Sequence, residues 1–281
     1  MPEVRIAGRG GNAFPYFLLL TISFALYARS VGFPFLGYDD TLLIVENQDF
    51  LQDLRNVPRA FLQDAWSVPG HVGQGSYYRP LYTLSFMFDA QFAGTAPAFY
   101  HCTSILLHGL VSCLVFALLF QLGTARFPAL TLSLFFALHP AFVSVVAWIP
   151  GRNDSLLAAF VLAAVLSLER FAATQKLPYM ILHFGFLLAS FFTKESALAF
   201  LLVGCVWLAT IGKYRLKRFQ KQMFLIGWSI LAVFWIALRL AAISPRVPDF
   251  NLIANLAENW IFLMGKSTLC LQHSLNLSFI R

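Results

Sequence analysis

Apolar residues run along this chain in long blocks that are separated by shorter polar segments. A block of about 20 apolar residues is the length that an α-helix needs to cross the hydrocarbon core of a bilayer. We therefore predict an all-α, polytopic membrane protein with seven to eight transmembrane helices. The predicted spans are Phe14–Val31, Ala98–Leu122, Pro128–Ala147, Ser155–Ala172, Leu177–Thr193, Ser196–Gly212, Met223–Ile243 and Trp260–Leu277.

A long polar segment, residues 37–97, follows the first span and is predicted to be the first extracytoplasmic loop. Apolar and aromatic residues recur at helical spacing near Leu51 and near Phe61, which predicts short amphipathic helices on the membrane surface. The apolar piece Leu81–Phe92 contains Asp89 and is too short to span comfortably, so it is predicted to be interfacial or re-entrant.

The composition agrees with a membrane protein: 59% of the residues are hydrophobic, mean hydropathy is +0.70 and 12% are charged. Soluble domains carry about 25% charged residues. Much of the net charge of +7 lies in the loop Lys213–Lys221, which is typical of a topology determinant that touches anionic lipid. The charge therefore does not indicate a nucleic-acid partner.

The four cysteines lie in apolar runs without metal-ligand spacing, which predicts buried, unreactive thiols.

The distribution of charge predicts the orientation. Alternating loops place half of the 20 Lys and Arg residues on one side, which the positive-inside rule makes cytoplasmic, together with the N-terminus. Several polar groups then share the opposite, outer face, where ionisable residues at membrane depth are candidates for function. These groups are Asp39–Asp40, Arg79, His139 to Asp154, and Lys194–Glu195.

Taken together, these polar boxes resemble those of a known family in their order and spacing. They are Phe35-x-x-Tyr38-Asp39-Asp40, Tyr78-Arg79-Pro80-Leu81, His101 with His108, Leu138-His139-Pro140, Ala147-Trp148-Ile149, Gly151-Arg152-x-Asp154 and Lys194-Glu195.

This pattern, which covers about Leu36 to Ala199, resembles the GT-C glycosyltransferases, in particular the transmembrane and tetratricopeptide-repeat O-mannosyltransferases and their bacterial relatives. Family members continue with further spans and with tetratricopeptide repeats. The resemblance implies one GT-C-like transmembrane domain over residues 1–281 that is truncated on its C-terminal side.

The resemblance also implies a reaction. A hexose, expected to be mannose, would pass from a polyprenyl- or dolichyl-phosphate sugar to a hydroxyl of a protein or glycan outside the cytoplasm. Asp39 is the expected general base, and Asp40 supports it because a neighbouring carboxylate and a low-dielectric surface raise a pKa. Two solvated acids that cap a helix, or a divalent cation held by the pair, remain alternatives. The expected location is the bacterial inner membrane, with the endoplasmic reticulum as the alternative.

Three basic residues, Arg79, Arg152 and Lys194, are predicted to hold the phosphate of the lipid-linked donor, since guanidinium groups bind phosphate through two hydrogen bonds. Snorkelling of cationic side chains to the membrane interface is the alternative explanation. The residues predicted to support the site are Tyr78, His139, Asp154 and Glu195.

Two positions depart from the family pattern. Ser144 stands where the family has Glu, and Ser104 stands where it has Asn. These departures, with the short chain, keep a second hypothesis open: a truncated or degenerate membrane module without catalytic activity. A transporter is disfavoured, because the spans show no internal repeat.

Overall fold

The structure of the chain is a computed structural model that describes residues 13–37, 39–68, 77–210 and 215–243. All regular elements in these ranges are helical and no strand occurs among them, which confirms the predicted all-α class. Some predictions concern positions outside the described residues: Arg5 and Arg9 of the basic N-terminal segment, Tyr38, Lys213 of the basic loop, and the span Trp260–Leu277.

The described α-helices form a series of long and short elements. In chain order they are α1 (Phe14–Tyr27), α2 (Gln48–Gln52), α3 (Val57–Ala60), α4 (Pro80–Ala93), α5 (Pro97–Gln121), α6 (Arg126–Ala137), α7 (Val143–Ala147), α8 (Arg152–Thr174), α9 (Leu177–Phe191), α10 (Ala199–Ala209) and α11 (Arg218–Ala242). Short 3-10 turns occupy Ala28–Gly32, Leu54–Asn56, Pro140–Phe142, Ile149–Gly151 and Glu195–Leu198, and a π-helical turn occupies Thr41–Val45.

Four of the described helices are long and apolar enough to cross a membrane: Phe14–Gly32, Pro97–Gln121, Ile149–Thr174 and Arg218–Ala242. The bent pair Arg126–Ala137 and Pro140–Ala147 brings the number to five if it counts as one span. These helices indicate a membrane protein, but they are fewer than the seven to eight spans that the apolar blocks predict.

Of the eight predicted spans, five correspond to these helices, two have helices that are too short, and Trp260–Leu277 lies outside the described residues. The helix Leu177–Phe191 has 15 residues, which at 1.5 Å per residue is about 22 Å, less than the roughly 30 Å of a hydrocarbon core. The other is Glu195–Ala209, which is also too short to qualify. Apolar composition continues past the ends of both helices, so the sequence overestimates their length.

Proline interrupts the third predicted span, as expected from its missing amide donor. The two halves, α6 and α7, are bent by 48° at this break. His139 precedes Pro140 with extended backbone, and its Nδ1 accepts a hydrogen bond from the amide of Ala141 at 3.2 Å. The break therefore contains a local side-chain cap in addition to the proline.

The segment between α1 and α5 contains the short helices that the sequence predicts. Helix α2 packs against α4, and Leu51 is completely buried between them. The Nε2 of Gln91 on α4 donates to the carbonyls of Leu51 and Gln52, each at 3.1 Å. Helix α4 has 14 residues, consistent with an interfacial element.

The core of the described bundle is built on α5 and α8, which pack against each other, while α1 packs on α5 and α9 packs on α8. Helix α1 and helix α8 run through the bundle between the same two ends. We call the end where α1 finishes and α8 begins the site end, and the end where α1 begins and α8 finishes the opposite end. Most of the predicted site residues lie at the site end.

Candidate active site

Four charged side chains from three separate segments meet at the site end. Arg79 precedes α4, Asp154 lies in the first turn of α8, and Lys194 and Glu195 follow α9. The Nε and Nη2 atoms of Arg79 donate to Oε2 of Glu195 at 3.0 and 2.9 Å, and Lys194 Nζ forms an ion pair with Asp154. We call these four residues the charged cluster. Its two cations stay partly accessible, with 12% of Arg79 and 25% of Lys194 exposed.

Local structure explains why these residues converge. Pro80 occupies the first position of α4, where its missing N–H costs no hydrogen bond. The amide of the next residue, Leu81, donates to the carbonyl of Phe192 at 3.0 Å and so fixes the start of α4 on the end of α9. At the start of α8, the carboxylate of Asp154 is favoured by the positive end of the helix dipole.

Asp40 follows the first span in the chain and is buried, with only 2% of the residue exposed. Its Oδ2 accepts a hydrogen bond from the amide of Leu36 at 2.7 Å, while its buried Oδ1 has no hydrogen-bond partner among the described residues. Burial raises the pKa of Asp40 and the charge of Asp39 adds to this effect, whereas the Leu36 amide and Arg152 oppose it. Asp40 is therefore easier to protonate than an ordinary aspartate.

Tyr82 on α4 shares a hydrophobic cluster with the segment that follows the two aspartates. It is buried, and its hydroxyl donates to the carbonyl of Pro150 at 3.0 Å. Burial raises the pKa of Tyr82, and its hydroxyl also feels the charges of its surroundings. Leu43 and Ile44, which follow Asp40 in the chain, pack in the same hydrophobic cluster as Tyr82. The sequence analysis did not select Tyr82; its place two residues after Pro80, close to the predicted site residue Arg79, was the available signal.

Arg152 differs from the other two predicted phosphate ligands because its side chain is completely buried. It forms an ion pair with Asp89, its Nη2 donates to the carbonyl of Tyr100 at 2.6 Å, and its guanidinium lies 4.9 Å from the Phe86 ring centre. Asp89 also accepts a hydrogen bond from Thr103 at 2.7 Å. Arg152 therefore joins α8 to α4 and α5 and presents no accessible nitrogen. An acid inside an apolar helix was the signal for Asp89, which the sequence analysis noted but did not pair.

Two predicted supporting residues have structural contacts of their own. Tyr78 is buried, and its hydroxyl donates to the carbonyl of Phe61 at 3.0 Å, which attaches the outer loop to the site end. His139 is exposed at the break between α6 and α7, and no described contact joins it to the charged cluster. The ring of Tyr77, which was not predicted, lies 4.4 Å from the Arg79 guanidinium in a cation–π contact.

Position 151, in the Gly151-Arg152 motif, has no space for a side chain. A Cβ at this position would lie 2.5 Å from the carbonyl oxygen of Ser144 and 3.0 Å from Cα of Val145. Both contacts are with backbone atoms, which cannot move aside as a flexible side chain can. The backbone of α7, including the position where the family has Glu, thus packs directly against the turn that leads into Arg152.

The two histidines of the second span differ in their contacts. The Nε2 of His108 lies 3.0 Å from the carbonyl of Ala137, which ties α5 to α6. Both ring nitrogens of His101 are buried without a hydrogen-bond partner among the described residues. In that part of the chain, no three His, Cys, Asp or Glu side chains are grouped so that they could hold a metal ion.

These features define an all-helical, multi-pass membrane protein with acids and cations converging at one end of its bundle, and the comparisons with known proteins give its relatives. No family model matches the chain, and no solved structure matches it. The chain is 33% identical over 196 residues to protein O-mannosyl-transferase Tmtc1 of Drosophila melanogaster, a match covering 68% of this chain and 22% of that protein.

Two further relatives carry the same description. Identity is 35% over 153 residues with protein O-mannosyl-transferase tmtc2 of Xenopus laevis, covering 53% of this chain and 18% of that protein. It is 28% over 249 residues with TMTC2 of Homo sapiens, covering 82% of this chain and 29% of that protein. The chain is thus a relative of the TMTC O-mannosyl-transferases, which confirms the resemblance read from the sequence. The matched regions span less than a third of the length of these relatives.

Proposed function

We propose that this chain is a GT-C-type membrane glycosyltransferase that moves mannose from a polyprenyl- or dolichyl-phosphate sugar to a hydroxyl of a protein or glycan on the non-cytoplasmic side. The observation that carries the proposal is the charged cluster at the site end, in which Arg79 and Lys194 stay partly accessible. An acceptor hydroxyl needs a base and a leaving phosphate needs cations, and both kinds of group are present at the site end. The names of the relatives support the transferase class.

In the proposed reaction, Asp39 is the general base. The acceptor oxygen forms a bond to the anomeric carbon of the sugar, its proton passes to the Asp39 carboxylate, and the bond from the anomeric carbon to the phosphate oxygen breaks. Lipid phosphate leaves with that electron pair. Asp40, with its raised pKa, stays next to Asp39 as a proton-bearing neighbour and limits charge repulsion in the site.

Arg79 and Lys194 are the proposed ligands of the leaving phosphate. Each is already held by a carboxylate, Glu195 or Asp154, so the donor phosphate would share or replace these partners. Arg152 has a positioning role in this proposal: its ion pair with Asp89 fixes the first turn of α8 and hence Asp154. A divalent cation at Asp39 and Asp40 is not required by this scheme.

The proposed orientation puts the N-terminus in the cytoplasm and the site end outside it. The lipid tail of the donor then lies in the bilayer beside a site at the membrane surface. The bacterial inner membrane is the proposed location, and the endoplasmic reticulum is the alternative; both follow the same positive-inside rule.

The test is Asp39→Asn in proteoliposomes that contain a radiolabelled polyprenyl-phosphate mannose and a hydroxyl acceptor. A general base contributes roughly 10²–10⁴-fold, so transfer should fall by at least about 100-fold. Asp53→Asn is the matched control, because Asp53 is another acid of the same loop and pairs with the exposed Arg55. Transfer that is equal in wild type and Asp39→Asn would exclude Asp39 as the base.

The second hypothesis, a membrane module without catalysis, is favoured by Ser144 in the place of the family Glu. The two hypotheses differ in donor binding. Saturable binding of the labelled lipid-phosphate sugar that is lost in Arg79→Gln, in protein that keeps its thermal unfolding temperature, supports the enzyme. Absence of binding in the wild type supports the module.

A further inference from the structure

A cavity with apolar walls and a few polar side chains lies at the opposite end of the bundle, away from the charged cluster. It has a volume of about 230 Å³ and is open to the surface. Four helices enclose it, namely α1, α5, α8 and α9. The lining includes Tyr16, Gln121, Arg170 and Tyr179 as its larger polar side chains, and Phe120 and Leu182 among the apolar ones.

Arg170 is held in this cavity by a buried amide. Its Nε donates to Oε1 of Gln121 at 2.8 Å, and Gln121 Nε2 in turn donates to the carbonyl of Leu166 at 3.2 Å. Gln121 is only 4% exposed, so its amide cannot easily rotate away. Because the amide fixes the Nε edge, the two Nη groups of Arg170 remain as donors in a defined orientation.

The neighbouring acid does not neutralise Arg170. Glu169 is buried on another side of α8, where it forms an ion pair with Arg215 and accepts a hydrogen bond from Trp207 Nε1 at 2.6 Å. Among the residues that the structure describes, Arg170 forms no ion pair. A preoriented guanidinium without a carboxylate, in a partly buried cavity, is suited to an anion that can accept two hydrogen bonds.

The surroundings of the cavity indicate the kind of anion. Tyr16 and Tyr179 line the cavity near the starts of α1 and α9, and tyrosines are enriched where membrane helices reach the interface. Apolar side chains near the starts of α1 and α9 are exposed, including Phe17 at 67% and Leu177 at 57%. An anion bound by Arg170 therefore lies at an end of the bundle where large apolar side chains are exposed.

We propose that this cavity binds the phosphate headgroup of an anionic membrane lipid. Arg170 Nη groups hold the phosphate oxygens, the tyrosine hydroxyls donate to the same headgroup, and the lipid chain lies along the apolar residues of α5 and α9. The site is separate from the proposed transferase site, and it does not depend on the direction or existence of mannosyl transfer. Two sources share this chemistry, an anionic phospholipid and a polyprenyl phosphate.

Native mass spectrometry of the full chain in detergent tests the proposal, with dioleoyl-phosphatidylglycerol, dioleoyl-phosphatidylcholine and a polyprenyl phosphate as probes. Arg170→Gln should bind phosphatidylglycerol about tenfold more weakly, which corresponds to the loss of a charge-assisted pair of hydrogen bonds. Lys176→Gln is the matched control, since it removes one positive charge at the same end from an exposed residue that does not line the cavity. Binding by this variant should change less than about twofold, because it removes only a screened surface charge.

The outcomes separate the alternatives. Equal binding by wild type and Arg170→Gln, or equal losses in Arg170→Gln and Lys176→Gln, would overturn the proposal, because either result means binding by general attraction alone. If Arg170→Gln does not fold, Arg170→Lys decides. Lysine keeps the charge but lacks the planar fork, so affinity should fall by about threefold or more, and unchanged affinity would overturn the site. Displacement of phosphatidylglycerol by polyprenyl phosphate, but not by phosphatidylcholine, would support a site for anionic headgroups, and tighter binding of polyprenyl phosphate than of phosphatidylglycerol would identify the polyprenyl lipid as the preferred occupant.

Discussion

At the scale of single residues, Asp39 and Asp40 are adjacent in sequence but differ in environment. Asp40 is almost completely buried and uses one oxygen on the Leu36 amide, whereas Asp39 is only partly buried. Burial and the neighbouring charge both favour the protonated form of Asp40. This difference in burial is the basis for proposing Asp39 as the general base and Asp40 as its supporting neighbour.

The raised pKa of Asp40 predicts a specific pH dependence of stability. Since the folded state binds this proton more tightly than the unfolded state, the stabilisation is complete below the ordinary value of 3.8 and is lost as pH rises through the folded pKa. Asp40→Asn removes the titration and keeps an oxygen for the Leu36 amide. We expect the variant to gain thermal stability relative to wild type as pH rises from about 4 to 7, measured by unfolding in detergent.

Asp53 gives an internal control of opposite sign. Its pKa is lowered by hydrogen bonds from Arg55, so its contribution is present above 3.8 and is lost as pH falls through its folded pKa. Asp53→Asn should therefore lose stability relative to wild type at neutral pH, by a small amount because the pair is exposed. If the thermal stabilities of wild type and Asp40→Asn change in parallel between about pH 4 and 7, the raised pKa of Asp40 is contradicted.

At the scale of elements, the ion pair of Arg152 with Asp89 joins three helices. Arg152 starts α8, Asp89 lies on α4, and Thr103 and Tyr100, which bond to the two partners, lie on α5. A charged pair in such a place stabilises only while both members are present, because an isolated buried charge is costly. The position of the cluster residue Asp154 depends on this junction, since Asp154 is two residues further along α8.

Removing one member of the Arg152–Asp89 ion pair should destabilise the protein far more than removing both. Asp89→Leu leaves the Arg152 guanidinium buried without its carboxylate, and the expected loss is about 3–5 kcal/mol in unfolding free energy. The double variant Asp89→Leu with Arg152→Met should recover most of that loss, as measured in detergent–SDS unfolding titrations. If the double variant is as unstable as the single one, the pair is not the source of the energy. If it is stable but lacks transfer, Arg152 contributes to the site beyond its role in folding.

The sequence identifies several of the charged site residues, but it does not show their partners or their burial, for physical reasons. Lys194–Glu195 and Arg79 are recognisable because charges at the edge of apolar blocks are costly unless they are paired or used. Their pairing is not recognisable, because Arg79 and Glu195 are 116 positions apart and only the docking of α4 on α9 brings them together. The sequence predicts Arg152 as a phosphate ligand, whereas in the structure its side chain is buried against Asp89. The sequence does not show this burial, because Asp89 and Arg152 are distant in the chain and meet only in the folded bundle. Among the described residues, the sequence overestimates the number of spans by two, because composition does not show where a helix ends.

At the scale of the whole molecule, the two ends of the bundle carry different chemistry. The site end brings together acids and cations in pairs, and the opposite end presents Arg170 in a cavity beside an apolar surface. The antiparallel helices α8 and α9 connect these ends. If the chain crosses the membrane as the positive-inside rule predicts, the two polar regions face different compartments.

Cysteine accessibility tests this topology directly. In a chain without its native cysteines, Ser196→Cys reports on the site end and Lys176→Cys on the opposite end, and both positions are exposed. Helix α9 separates positions 176 and 196, and the positive-inside rule places the end with more positive charge in the cytoplasm. A membrane-impermeant maleimide should therefore label position 196 in sealed cells or in vesicles of native orientation. Position 176 should react only after permeabilisation. Labelling of both from the outside would mean that the short helix α9 does not cross, and it would place the charged cluster and the Arg170 cavity on one side of the membrane.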